Sequence, residues 1–311
     1  MISVVVPTLN GGEAFIRLME ALRTQSVPTE ILVVDSSSTD GTGTQAEARG
    51  ARIITVRRED FDHGGTRNLG LRAAAGDPVV FMTQDALPVD NRLIENLTAP
   101  LEDRTIAYCY GRQIARPDAT PPERFTRAFN YPEVPVIKGK AEIATLGIKA
   151  FFCSNVCAAV RREAFETVGG FPERIISNED MILAGKLIVS GYRVAYQPLA
   201  AVHHSHRYSL VQQFQRYFDI GVSLNRNRQI LETTGPDREG RRFLRSQISS
   251  LARQQAWVWI PYVCAQALAK YAGFRLGLSE DRIPWRLRRL LSMHKHFWLK
   301  YNRFLHAKED L

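Results

Sequence analysis

Apolar runs alternate with stretches of helical spacing through the first third of the chain. Residues 2–6 are a β-branched run, and Phe15, Leu18, Met19 and Leu22 repeat at helical spacing within residues 13–25. Residues 30–34 form a second apolar run and residues 52–56 a third, with a polar turn at 35–42 and a helical stretch to Gly50 between them. Continuous apolar strands separated by helices predict a mostly parallel sheet covered on both faces, and such sheets bind ligands at the carboxyl ends of their strands. Three polar loops fall at those ends: residues 8–12, 35–42 and 83–86, the last following the apolar run 79–82.

The middle of the chain is less regular. Residues 106–113 and 151–160 read as strands, whereas 116–147 is rich in Pro and Gly and reads as a long substrate-binding loop. Beyond His206 the pattern becomes helical over 209–231, over 241–271 with Pro261 as an interruption, and over 284–303. The organisation expected is therefore an α/β domain over 1–206 and a helical extension over 207–311. The most apolar helical stretch, 256–269, contains Pro261 and Gln266 and falls short of the roughly 20 residues a membrane span needs.

Charge separates the same two parts. Residues 1–202 carry 22 Lys/Arg against 24 Asp/Glu, whereas residues 203–311 carry 19 against 8, so the net +9 of the chain arises from the helical end. Such an excess suits an anionic partner or a solvated helical face. In the last helix Leu287, Leu290, Phe297 and Trp298 alternate with Arg282, Arg286, Arg289 and Lys295, a basic amphipathic pattern that suits a phospholipid surface or a helix docked on the domain. Cys109, Cys153, Cys157 and Cys264 have no CxxC spacing, and the first apolar run stops at Pro7 with no basic region before it. A reducing cytoplasm, with a peripheral seat at the inner face of the cell membrane, is the location expected.

Chemistry concentrates in five places. Asp35 ends a strand where it could accept a hydrogen bond from a pyrimidine imide, or cap the next helix. Asp85 follows four apolar residues and could reach a cation holding a diphosphate, or simply make a turn. The segment Phe61-Asp62-His63-Gly64-Gly65-Thr66-Arg67-Asn68 has two glycines that permit close backbone approach before a helix, and Arg67 could contact phosphate. Glu179 and Asp180 open a helical stretch, where they serve chemistry or complement the helix dipole. His203, His204 and His206 put three of the seven histidines within four positions, and His204 and His206 point to one side of an extended segment, as metal or phosphate ligands would.

Taken in order, these motifs resemble the inverting GT-A glycosyltransferases of family 2, which carry a Pro-Thr-x-Asn loop (here Pro7, Thr8 and Asn10), a Val-Val-Asp turn, an Arg-Asn segment, a metal loop and a Glu-Asp pair. The likeness covers about residues 1–205. Within that family, Asp-Ser-Ser-Ser-Thr-Asp-Gly-Thr, Phe-x-His-Gly-Gly-Thr-Arg-Asn, Thr-Gln-Asp-Ala and His-Ser-His-x-Tyr-Ser look like the rhamnosyltransferases that use dTDP-L-rhamnose, and Gln213 to Gly221 extend the likeness.

The resemblance implies a GT-A fold and inverting transfer of L-rhamnose to a glycan or polyprenyl-diphosphate-linked acceptor. It implies Asp180 as the base, with Glu179 beside it, and Pro7, Thr8, Asn10, Asp35, Asp62, His63, Arg67, Gln84 and Asp85 around the donor. Asp85, His204 and His206 would hold Mg²⁺ or Mn²⁺. The chain departs from the usual Asp-x-Asp metal motif, having Thr83-Gln84-Asp85 with a single carboxylate. An unperturbed aspartate near ~3.9 would be ionised at neutral pH without tuning. A UDP-sugar donor is the nearest alternative, and a non-catalytic binder of anionic membrane or nucleic acid the alternative of another class; no nucleic-acid motif appears.

Overall fold

The computed structural model describes residues 1–228 and 237–300. The chain divides into two compact units, one made of Met1–Asp118, Arg127–Glu173 and Glu179–Ser205, the other of Ala119–Thr126, Arg174–Asn178 and His206–Leu311.

The first unit is built on a mixed sheet of nine strands: β1 (Ile2–Thr8), β2 (Thr29–Asp35), β3 (Arg52–Thr55), β4 (Val79–Met82), β5 (Leu87–Pro88), β6 (Ile106–Ile114), β7 (Val136–Lys138), β8 (Cys157–Val160) and β9 (Arg193–His203). Their order is β3-β2-β1-β4-β8-β6-β9-β5, with β7 also on β9. Strands β3, β2, β1 and β4 are mutually parallel. Beyond them the pattern changes: β8 runs antiparallel to both β4 and β6, and β5 and β7 run antiparallel to β9. The parallel half matches the alternation read from the sequence, in which Val4, Val5 and Val6 are all fully buried because both sheet faces are covered. One face packs on α1 (Gly12–Arg23), whose Phe15, Leu18, Met19 and Leu22 are buried as their spacing predicts. The same face is covered by Ala46 of α2 (Thr42–Glu47) and by Leu93, Ile94 and Leu97 of α4 (Leu93–Thr98), whereas α3 (His63–Ala73) brings Gly70 against Val5 and Val34 on the other.

Two expectations in the middle of the chain are corrected. The stretch 116–147 is not one long loop: it holds α5 (Pro121–Asn130), the strand β7 and α6 (Ile143–Leu146). Its prolines misled the reading, because Pro121 and Pro122 occupy the first turn of a helix, where a missing N–H costs nothing. The strand expected over 151–160 starts only at Cys157, since residues up to Phe151 form a short 3-10 turn and the segment between carries polar groups of the site. Two more helices, α7 (Arg162–Thr167) and α8 (Glu179–Val189), complete this unit.

The second unit is helical. Ser209 and Gln212 form a reciprocal capping box that starts α9 (Leu210–Arg226). The stretch read as one interrupted helix is two, α10 (Asp237–Arg253) and α11 (Ile260–Leu278), with Pro261 in the first turn of the latter. The helix expected over 284–303 is interrupted: α12 (Trp285–Leu291) ends, residues 295–300 are helical again, and at the break the buried carboxylate of Asp219 accepts from the N–H groups of Met293 and His294 at 2.9 and 3.2 Å. Trp298 is only 2% exposed and packs with Ile176, Phe218 and Val222, so it belongs to the core of this unit and not to a lipid-facing edge. Arg288 is likewise taken up by Glu280 at 2.8 Å. The ends expected at 229–231 and 301–303 lie outside the described residues.

Candidate active site

Thr8 and Asp35 are register partners at the ends of β1 and β2, so the loops after them open on one sheet edge. Gln84, in the loop after β4, holds the first of these loops. Its Oε1 accepts from the Thr8 hydroxyl at 2.7 Å and from the Leu9 N–H at 2.8 Å, while its Nε2 donates to the Leu9 carbonyl at 3.3 Å. A side-chain amide thus pairs both ways with one backbone residue, which a carboxylate, lacking a donor, cannot do. Asn10, at a φ of 48°, donates its N–H to Ser38 at 2.8 Å and accepts from the Thr39 N–H at 2.9 Å, which ties the two loops together. Asp35 is engaged as well, its carboxylate accepting from the hydroxyl and, at 3.0 Å, the N–H of Ser38. Pro7 precedes them on β1.

The His-Gly-Gly segment is the first turn of α3. Asp62 caps it, accepting from the Gly65 N–H at 2.6 Å, and the α-carbon of Gly64 lies where any Cβ would collide with the carbonyl of Pro172. One turn on, Arg67 is buried. Its guanidinium donates to the His63 carbonyl at 2.9 Å and lies 3.1 Å from Glu179, itself buried at the start of α8. Arg67, expected from the sequence to contact base or phosphate, here pairs with a member of the carboxylate pair.

Asn155 bridges that pair: its side-chain amide donates to Glu179 at 3.3 Å and its backbone N–H to Asp180 Oδ2 at 3.2 Å. The Tyr108 hydroxyl in turn donates to the Asn155 side-chain oxygen at 2.5 Å, fixing the amide's orientation. Burial alone would raise Glu179, but the Arg67 charge, the neighbouring His63 and the Asn155 hydrogen bond outweigh it and hold its carboxyl below the usual range. Asp180 goes the other way. Burial first, and the Glu179 charge second, push it up to about 7, so the ordinary aspartate value inferred from sequence does not apply. Burial lowers His63, outweighing the Glu179 charge that would raise it.

Asp85 meets His204 across the end of β9, with Oδ1 3.6 Å from Nε2. Arg116 borders the same carboxylate at 3.8 Å and donates to the Asp85 carbonyl at 3.3 Å. His204 is buried, and its Nδ1 lies 3.0 Å from Gln113 Oε1. That oxygen also accepts from Arg127, while Gln113 Nε2 donates to the Tyr131 hydroxyl at 2.6 Å and to Ser154 Oγ at 2.9 Å, so the amide cannot be turned round without losing its partners. His204 therefore donates from Nδ1, which leaves Nε2 turned toward Asp85, the orientation a metal ligand requires. A carboxylate beside an oriented imidazole fits a divalent cation, and Mn²⁺ better than Mg²⁺, which prefers oxygen alone. His206 lies two residues along the same segment, as the first residue of the second unit.

Gln113, Asn155, Tyr108 and Arg116 were not found by sequence reasoning. Two of them left a trace, since Gln113 and Asn155 are the amides of two mainly apolar strand-like runs, beside Arg112 and Ser154.

A curled mixed sheet with carboxylates at its carboxyl edge defines a GT-A nucleotide-sugar transferase fold, and solved structures share it. A mannosyltransferase from Pyrobaculum calidifontis, in complex with GDP-Man and Mn²⁺, superposes with a TM-score of 0.56 at 20% identity, covering 96% of this chain and 85% of that one. S. aureus TarS residues 1–349 give 0.54 at 18% identity, covering 90% and 91%. The chain belongs to glycosyl transferase family 2, whose model matches residues 3–169. Among its relatives are the O-antigen chain rhamnosyltransferases RfbN of Salmonella typhimurium, 39% identical over 96% of both chains, and WbaN of Salmonella anatum, 40% identical over 95% of both.

Proposed function

We propose that this glycosyltransferase moves L-rhamnose from dTDP-β-L-rhamnose to a glycan or polyprenyl-diphosphate-linked acceptor, with inversion, in the synthesis of a cell-surface polysaccharide. The observation that carries the reading is the end-to-end similarity to two O-antigen chain rhamnosyltransferases, taken with a paired carboxylate whose second member sits near neutrality. In the reaction the acceptor oxygen bonds to the anomeric carbon as the bond from that carbon to the diphosphate oxygen breaks. The acceptor's proton passes to Asp180, whose pKa near the working pH suits a general base. Glu179 stays ionised against Arg67 and positions its neighbour through Asn155. Thr8, Asn10 and Asp35 line the edge proposed for the thymidine, with Gln84 holding the loop, while Asp62 and His63 flank the sugar.

Asp85 and His204, with His206 as a third candidate, are the residues that would hold Mg²⁺ or Mn²⁺, and a cation there would supply positive charge against the leaving dTDP. No described helix is long and apolar enough to cross a membrane. The test is a donor panel on the purified protein: mass spectrometry of the acceptor should show rhamnose added from dTDP-rhamnose and nothing from UDP-sugars. Turnover of a UDP-sugar alone would overturn the assignment of the donor.

A further inference from the structure

Helix α11 is amphipathic the wrong way round for a soluble helix. The residues it buries include Val263, Gln266, Gly273 and Gly277, and a Cβ at either glycine would run into the carbonyl oxygens of Phe214 or Phe218 on α9. Small residues are thus required on the inner face, and large apolar ones are left outside. Pro261, Cys264, Ala265, Leu268 and Tyr271 are all exposed at three- and four-residue intervals, with Trp257 and Val258 continuing the row one turn earlier. Trp257 is 61% exposed, Val258 82%, Leu268 69% and Tyr271 54%. From Pro261 to Arg275 the stripe is about 20 Å long at the helical rise. Apolar side chains of this size, contiguous and open to water, mark an interaction surface.

Charge selects the occupant. From Gly240 to Ser279 the chain has six Arg/Lys and no Asp/Glu, and exposed Arg253 and Arg275 stand at the two ends of the stripe. A second copy of this chain would bring like charges face to face, whereas an anionic bilayer offers hydrocarbon to the stripe and phosphate to its ends. We propose that the exposed face of α11, with Trp257 and Val258 ahead of it, docks in the plane of an anionic phospholipid surface. The apolar row seats at the acyl boundary while Arg253 and Arg275 pair with lipid phosphates. This goes beyond the proposed chemistry, and it does not use Trp298, which is core.

Vesicle flotation of the full-length protein tests it, run beside thermal melts, sedimentation and donor turnover on a soluble acceptor. The protein should float with phosphatidylglycerol-containing vesicles at low salt, remain unbound to pure phosphatidylcholine, and be released as salt rises. The pair Val258→Asp and Leu268→Asp should weaken flotation about tenfold or more while melting and soluble-acceptor turnover stay at the wild-type level, because both side chains face water in the unbound protein. If that pair fails to fold, Leu268→Gln alone makes the same comparison. Flotation that is absent, or that the substitutions leave unchanged, overturns the proposal, as does a dimer in solution that the same substitutions dissociate. Loss of turnover on the soluble acceptor by the wild-type protein would count against the rhamnosyl-transfer reading and leave the docking result standing.

Discussion

Asp180→Asn should make the protein both inactive and more stable. Raising an aspartate from 3.8 to about 7 means the folded state holds a proton that the unfolded chain releases, so stability falls as pH climbs through that window and levels off above it. The full cost above pH 7 would be about 4 kcal/mol at 1.36 kcal/mol per tenfold change in proton affinity. The real figure is smaller, because the Asp180 side chain keeps part of its surface open to solvent. Asparagine also retains an oxygen for only one of the two N–H groups, from Asn155 at 3.2 Å and Met181 at 2.8 Å, that now share the carboxylate. A gain of about 1–3 kcal/mol at pH 8 remains, or several degrees in Tm for a domain of this size. It should shrink to about 0.5 kcal/mol at pH 4, where the folded carboxyl is neutral and the unfolded one is only partly ionised. Transfer should drop by roughly 10²–10⁴-fold with donor affinity kept, as for loss of a general base. Calorimetry at pH 4 and 8, beside kcat and donor Kd, checks both halves. A Tm at or below wild type at pH 8 would refute the argument from burial, and a near-normal kcat would remove Asp180 as the base.

Wild-type kcat should rise with pH through about 7 as Asp180 loses its proton. In Glu179→Gln the inflection should move to lower pH, because a repelling charge is gone and Arg67 no longer has a carboxylate to itself; stability should fall by about 3–5 kcal/mol from the unpaired buried guanidinium, read by denaturant titration. Asp85→Ala should weaken donor binding at least tenfold and erase the effect of added Mn²⁺, measured by calorimetric titration; a wild-type rate indifferent to EDTA would dismiss the cation altogether. Gln113→Leu frees the His204 tautomer, so Mn²⁺ affinity should fall roughly 10–100-fold while dTDP binding without metal is unchanged. Gln84→Glu should loosen the donor loop by replacing the donor to the Leu9 carbonyl with a repelling oxygen, seen as a raised donor KM with little change in kcat.

The parallel half of the sheet was legible because periodicity reports burial. Val4 to Val6 and Leu32 to Val34 are apolar at successive positions only because both faces are covered, and Phe15, Leu18, Met19 and Leu22 mark the side of α1 that covers one of them. The antiparallel strands were less legible. Strand direction depends on which distant segment pairs with which, and nothing in the residues of β8 announces that it will lie between β4 and β6. Proline misled in one place and helped in another: Pro121 and Pro122 start a helix where a loop was expected, and Pro261 divides one where an interruption was expected.

The site shows the same limit at the level of single side chains. Residue types named Asp35, Arg67, Asp85, Asp180 and His204, because carboxylates, guanidinium and imidazole at strand ends and in the first turns of helices carry chemistry whatever their partners. What these groups do to one another depends on contacts across 47 to 112 positions of sequence, such as Arg67 to Glu179, His204 to Gln113 and Tyr108 to Asn155. Those contacts decide that Arg67 restrains a carboxylate, that His204 offers Nε2, and that Asp180 is held near neutrality. Two uncharged amides do much of this, each engaging several partners at once. Asn155 serves both carboxylates of the pair, and Gln113 fixes the imidazole and reaches Ser154, the residue before Asn155. A continuous polar chain therefore links the proposed base to the proposed cation ligands through the short segment ahead of β8. A substitution at either amide should be felt at both ends of the reaction, at proton removal and at departure of the diphosphate.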